Sequence, residues 1–320
     1  MAVVTNTLVT DAGTGIREDL EDVIYDLYAE DTWAMTNLSK SKAAGTYHEY
    51  LTDTLVPAGA NKQVEGDEAS FATIQQPTRI GSTCQIMRKT FIVSATMEAV
   101  NKAGRKKEAA RQMVKQMREI KQDAEYAIVT NQASEAGGAG TARAMAGMES
   151  WLATNEILAT STASSTTAGF SSGSVAAPVD GSTTGALTEG ALKSALQAAW
   201  TQGGNVTTIL TGAAQKNVLD AFTGIATRFV DNGRTQEASI IGAASVYVTS
   251  YGTHKIVLHR HIRSSVVLCL DPEYWSLATL RPFSHTKLAQ TGDAEKHMIV
   301  GEMTLCSRNE AASAKVVACA

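Results

Sequence analysis

The sequence predicts an α+β protein, and three stretches of its 320 residues carry that prediction. Residues 46–94 are strand-like at both ends, HEYLTDTL and RIGSTCQIMRKTFIVS, around a tip of small and polar residues. Residues 96–131 carry an apolar stripe, Ala110, Met113, Met117, Ile120, Ala124 and Ala127, at alternating steps of three and four. The last part returns to alternating strands, MIVGEMTLCS and AKVVACA. Strands and helices that keep largely to their own stretches of chain define this class.

Composition sets the outer limits. With 44% hydrophobic, 19% charged and 6% aromatic residues, the chain is that of an ordinary globular protein long enough for two linked units. No apolar run approaches the ~20 residues a bilayer requires, so no membrane partner is expected. The opening MAVVTNTLVTDAGTG lacks the basic and apolar regions of a signal peptide, which predicts folding in the cytoplasm. Cys84, Cys269, Cys306 and Cys319 form no CxxC pair and read as reduced thiols. A net charge of -4 argues against a dedicated nucleic-acid binder, so any DNA contact must be local.

In chain order, residues 1–45 read as a loose arm with a short amphipathic helix, its apolar positions Ile16, Leu20, Val23, Ile24 and Leu27 at helical spacing. Glu18, Asp19, Glu21 and Asp22 suit the early turns of that helix, where its dipole favours negative charge. The helix is equally suited to packing on its own subunit or clasping a neighbour. Residues 46–94 form an extended hairpin loop that is marginal alone, because two strands bury too little surface. It packs on its own domain or reaches across another copy. Residues 95–158 hold the long helix, with a start expected at Thr96 beside Glu98 and a stop at EAGGAG, residues 135–140. Its opposite face gathers Lys102, Arg105, Lys106, Lys107, Arg111, Lys115, Arg118 and Lys121 against Glu108 and Glu119. Such a run is either a solvated face or a phosphate-contacting one.

Residues 159–186 are rich in Ser, Thr, Ala and Gly, with Asp180 the one charge, and read as a loop or junction. Residues 187–270 alternate helix and strand, which suggests a compact α/β unit. A helix capped by Thr188 carries Leu192, Leu196 and Trp200 on one face and ends at Gly203 and Gly204. A strand VTTIL, a helix around 218–222 and two strands turning near Gly252 follow. Residues 271–320 supply the return strands, broken at Pro272.

Catalytic groupings are weak. GFSSG at 169–173 matches a nucleophile elbow, which needs a strand before Ser171 and a helix after it, and neither flank is present. His259 and His261 share a strand face near His254, but no acid or thiol stands at ligand spacing, so they read as the polar face of an exposed hairpin. GTGIRE and GGAGTAR complete no phosphate loop. No catalytic residue, metal or cofactor is expected.

Four stretches together resemble a known family: GIREDLEDVIYDL at 15–27, VEGD at 64–67, RKTFIVSATMEAVNKAGRK at 88–106, and LDPEYWSLATLRPFSHTKLAQTGDAEKHMIVGEMTLCSRNEAA at 270–312. In this order and spacing they resemble the major capsid proteins of tailed phages, over nearly the whole length. The resemblance implies the major capsid fold: an N-terminal arm, an extended β-hairpin loop, a peripheral domain with a long spine helix, and an axial domain. It implies self-assembly into hexamers and pentamers of an icosahedral head shell, built in the bacterial host cytoplasm around double-stranded DNA. The eight cations of 102–121 then become DNA-facing candidates. Ile16, Leu20, Ile24, Val64, Glu65 and Asp67 become inter-subunit ones. A portal, a decoration protein and a separate scaffolding protein are further partners, the last because the arm starts so near Met1. The competing reading within this fold is an encapsulin-like compartment that encloses cargo enzymes.

Overall fold

The structure, a computed structural model, describes Ile24 and residues 32–56, 58–69, 71, 73–160, 164–165, 168–222 and 245–320. The expected helix around Ile16–Leu27 lies outside these residues except for Ile24, which is exposed. Two sheets organise the rest.

The first sheet has four strands in the order β1 (Ser39–Lys42), β12 (Trp275–Leu288), β13 (Ala294–Ser307), β4 (Gln85–Ser94). β1 runs parallel to β12, and the other pairs are antiparallel. Helix α1 (Trp33–Asn37) precedes β1. Helix α3 (Glu108–Val129) packs against β4 and β13, and Lys89 of β4 reaches Asp123 of the helix at 2.8 Å. Ile120, Ala124, Ala127 and Ile128 of α3 are buried with Trp151, Trp275, Ile299 and Leu305, whereas Ala110 near the helix start is exposed. The stripe therefore meets the core only along its C-terminal half.

That helix corrects the sequence expectation at both ends. A separate short helix, α2 (Ala95–Ala99), comes first, with the Ser94 side chain accepting from the Met97 N–H. Glu98, expected to help start the long helix at Thr96, instead accepts the Glu108 N–H at 2.9 Å and so caps α3. Lys102 ends α2 by donating Nζ to the carbonyls of Met97, Glu98 and Val100 at 2.6–3.0 Å. At its far end α3 stops at Val129, ahead of the glycine run, because Thr130 turns extended. Twenty-two residues at ~1.5 Å each still give about 33 Å of helix.

The second sheet has six strands in the order β5 (Glu156–Leu158), β14 (Ala314–Val317), β11 (Val267–Leu270), β8 (Thr208–Thr211), β10 (Gly252–Leu258), β9 (Val246–Thr249). Alternation decides its faces. Leu210, Leu268, Leu270 and Val317 join the α3 core, while Ile209, Val267, Cys269 and Val316 pack with Leu192, Ala195, Leu196 and Ala199 of α5 (Glu189–Thr201). Thr188 caps α5 as expected, accepting the Ala191 N–H at 3.1 Å. Trp200 does not share the buried face: it is 60% exposed beside Tyr251, and the two alanines take its place. Helix α6 (Ala213–Asp220) begins earlier than 218.

Two small pairs complete the fold. β2 (Tyr47–Thr52) and β3 (Thr78–Thr83) form the root of the expected hairpin loop, and the chain then leaves at Cys84 so that β4 joins β13. β6 (Gly169–Ser171) and β7 (Ser174–Ala176) fold part of 159–186 into a hairpin, where the composition predicts a loop. A one-turn helix α4 (Met148–Trp151) lies between the sheets' connections.

Gly203 and Gly204 end α5 for different reasons. Gly203 takes the left-handed conformation, φ 85°, which closes helices without a Cβ penalty. Gly204 has ordinary φ, but a Cβ there would lie 2.1 Å from the Ala312 carbonyl oxygen. A Gly204→Ala chain is expected to lose about 1–3 kcal/mol through the backbone shift this forces. Urea denaturation measures the loss, and an unchanged midpoint would refute the close approach.

Candidate functional site

Residues 53–77, between β2 and β3, contain no strand or helix among the described residues and carry the most exposed of the large apolar side chains described. Phe71 is 98% exposed and Leu55 96%, with Val56, Val64 and Ile74 close behind. Isolated exposed apolar residues are ordinary, but five within one short segment mark a surface meant for contact. The motif VEGD forms a turn in this segment: the Asp67 N–H donates to the Val64 carbonyl at 3.1 Å and Gly66 has φ 83°, the type II pattern. Val64, Glu65 and Asp67 are all exposed there. The root is tied to its own chain, Tyr50 donating to the Ser307 carbonyl at 2.6 Å and Tyr47 to the Gly173 carbonyl at 2.8 Å.

The eight cations do not lie on one helical face. Lys102, Arg105, Lys106 and Lys107 precede α3, and Lys102 is committed to closing α2. Arg105 and Arg111 both contact Glu108. Burial pushes the Glu108 carboxyl up, but the Gln112 hydrogen bond and these two arginines prevail and hold it below its ordinary value. Lys115 stands 3.8 Å from Glu119, which Lys89 also approaches. Lys106, Lys107, Arg118 and Lys121 are exposed. Each acid is thus shared between two cations, and the surface keeps a positive excess.

The histidines depart from the exposed-hairpin expectation. His254 is buried, its Nδ1 2.7 Å from the Val206 carbonyl and its Nε2 2.8 Å from Thr249 Oγ1, and burial lowers its pKa. His259 lies just past the end of β10, buried, with Nε2 3.0 Å from Glu125 Oε1. His261 turns its ring edge toward Tyr126. Among the described residues no three His, Cys, Asp or Glu side chains are grouped to hold a metal, and no helix is long and apolar enough to cross a membrane.

Ser171 ends β6, and the next residues, Ser172 at φ 51° and Gly173 at φ 87°, form a tight hairpin turn into β7. A nucleophile elbow needs a helix at that place. All four cysteines are free and buried, and burial pushes Cys84 up to about 11 and Cys269, Cys306 and Cys319 up to about 12. Thiols so placed are inert.

Two ion clusters built on the buried carboxylates Glu149 and Glu302 escape any reading of the sequence. Arg263 is held by Glu149 and Asp180, and Glu302 lies between Arg143 at 2.6 Å and Arg281 at 2.9 Å. Their partners are 21 to 159 positions apart, so no spacing rule flags them.

An anchored loop root with an uncovered apolar tip, and a long helix whose apolar stripe meets the core only along its C-terminal half, leave surface that a lone subunit does not cover, as shell-forming proteins do. The family model described as SU10 major capsid protein matches residues 3–320, and the chain belongs to that family. It is a tailed-phage major capsid protein, a structural component of the head shell in the virion. Solved structures share the fold at low identity. A Cyanophage A-1(L) capsid chain is 14% identical with TM-score 0.65, covering 97% of this chain and 98% of its own. A chain from the Phage G gp27 major capsid and gp26 decoration proteins is 14% identical with TM-score 0.54, and coverage is 100% of both. One from Mycobacterium phage Adephagia is 11% identical with TM-score 0.59, covering 98% of each. No curated protein matches. The encapsulin alternative gives way, because the family matched is a phage capsid family.

Proposed function

We propose that copies of this chain close into shells of hexamers and pentamers in which each 53–77 tip covers a neighbouring copy and the basic residues around the start of α3 face packaged double-stranded DNA. The observation that carries this is the uncovered tip, whose apolar surface the subunit itself leaves in water. Heterologous contacts repeated around a ring bury such surfaces and close the assembly. The family supports a structural, non-catalytic role. A portal, a scaffolding protein and a decoration protein complete the set of partners, and Phage G supplies a capsid solved with decoration proteins. Electron microscopy of the purified protein tests the assembly: a chain that stays monomeric with and without scaffold overturns it.

The DNA-facing part has its own test. Replacing Lys106, Lys107, Arg111 and Lys115 by glutamine should leave assembly intact, since Gln forms helix nearly as well as Lys or Arg. The salt dependence of the interaction with duplex DNA should fall by a slope of about 0.9 for each phosphate that is no longer neutralised. Arg111 and Lys115 already have carboxylate partners, so Lys106 and Lys107 should carry most of the change. A variant that fails to assemble would instead assign these side chains to protein partners.

A further inference from the structure

Glu125 of α3 is fully buried, and its carboxylate accepts three hydrogen bonds. Oε1 takes the Ala34 N–H at 2.6 Å and His259 Nε2 at 3.0 Å, and Oε2 takes the Met35 N–H at 2.9 Å. The His261 N–H donates to His259 Nδ1 at 3.2 Å, which fixes the proton of that ring on Nε2, facing Glu125. One side chain thus joins the long helix, the end of β10 and the first turn of α1.

Beyond Glu125, α1 and β1 are held by one edge pairing and a few apolar contacts. β1 reads SKSK, mostly exposed, and lies at a sheet edge paired only to β12. Ala34 and Leu38 are the buried apolar anchors of this stretch, Trp33 and Met35 pack half-buried against the same core, and Ser39 Oγ donates to the Trp275 carbonyl at 2.9 Å. We propose that residues 33–42 form a releasable strap, that Glu125 is its latch, and that neutralising this carboxylate frees the strap while both sheets stay folded. A protonated carboxyl or an amide presents a donor where three donors already converge, so it cannot hold all three. Around the latch the titratable groups are Tyr126 on α3 and His259 and His261 after β10, with Arg260 between the two histidines, and α1 brings none. Release leaves the β12 backbone from Ser276 to Thr279 without its partner, an open edge for another strand.

Hydrogen exchange of the full-length subunit, corrected for intrinsic rates, tests this. Glu125→Gln should raise exchange of peptides within 33–42 at least tenfold at neutral pH, while β4 and β13 peptides keep their protection. His259→Phe removes one donor and leaves the carboxylate, so its strap should stay better protected than that of Glu125→Gln. Unchanged strap protection in folded Glu125→Gln overturns the proposal. If that variant does not fold, Glu125→Asp, which keeps the charge but draws it back from α1, decides: a strap that loosens while β13 keeps its protection supports the latch, and a strap that loosens only together with β13 overturns it.

Discussion

An Arg263→Ala chain is expected to lose about 3 kcal/mol of folding stability, somewhat under the figure for a wholly buried pair because the guanidinium keeps 32% of its exposure. Arg263 donates from Nε to Glu149 at 3.0 Å and from Nη1 to Asp180 at 3.2 Å, and Ser265 adds a hydroxyl to Asp180 at 2.9 Å. Glu149 is 2% exposed. Burial already pushes its carboxyl up, against the pull of Arg263 and of Lys315, so removing the guanidinium raises it further. An acid whose folded pKa is raised stabilises the fold fully below its unfolded value, and that contribution is lost as pH rises through the folded value. The deficit of the variant should therefore be largest at neutral and alkaline pH and shrink toward acid. Arg263→Lys should recover only part, since an ammonium cannot serve two carboxylates with a planar fork. Urea denaturation at about pH 8 and about pH 3.5 brackets the carboxylate range; equal losses at both would sink the assignment.

The second large effect is on assembly. Deleting residues 57–75 should leave a folded subunit and abolish or deform shells. None of the described residues in that span is buried, and the root anchors at Tyr47 and Tyr50 lie outside it. Circular dichroism and electron microscopy separate the two consequences. Loss of the folded signal would place the segment in the core, and normal shells would leave its apolar residues without a role in assembly.

Where pattern and local chemistry decide structure, the sequence is legible. Thr188 caps its helix, Gly252 turns its hairpin, and the break at Pro272 separates β11 from β12. Where tertiary contact overrides a local signal it is not. Glu98 and the apolar stripe suggest one helix from Thr96, yet Lys102 ties off the short helix and Glu98 caps the long one from outside it. Trp200 loses its place on the buried face to Ala195 and Ala199, which pack on the sheet beside Leu192 and Leu196. The buried His259 reads as a surface residue in the sequence, since its partner Glu125 stands 134 positions away. The candidate surfaces are legible as exposed composition, and the ion clusters are invisible because each needs the fold to bring its members together.

The four-stranded sheet also sets the order in which the chain must fold. Its middle pair, β12 and β13, is a local hairpin, but its outer strands arrive from far upstream: Ser39 bonds Trp275 across 236 positions, and Ser94 pairs with Ala294. At about 5–20 residues per second of synthesis, β4 leaves the ribosome tens of seconds before the strand it pairs with exists. During that interval Met87 and Val93, buried in the finished fold, and an unpaired ten-residue edge stand exposed. Such long-range pairing is slow as well as late. Completion of this sheet therefore waits until β12 and β13 have been made, and their hairpin supplies the two edges on which β1 and β4 pair.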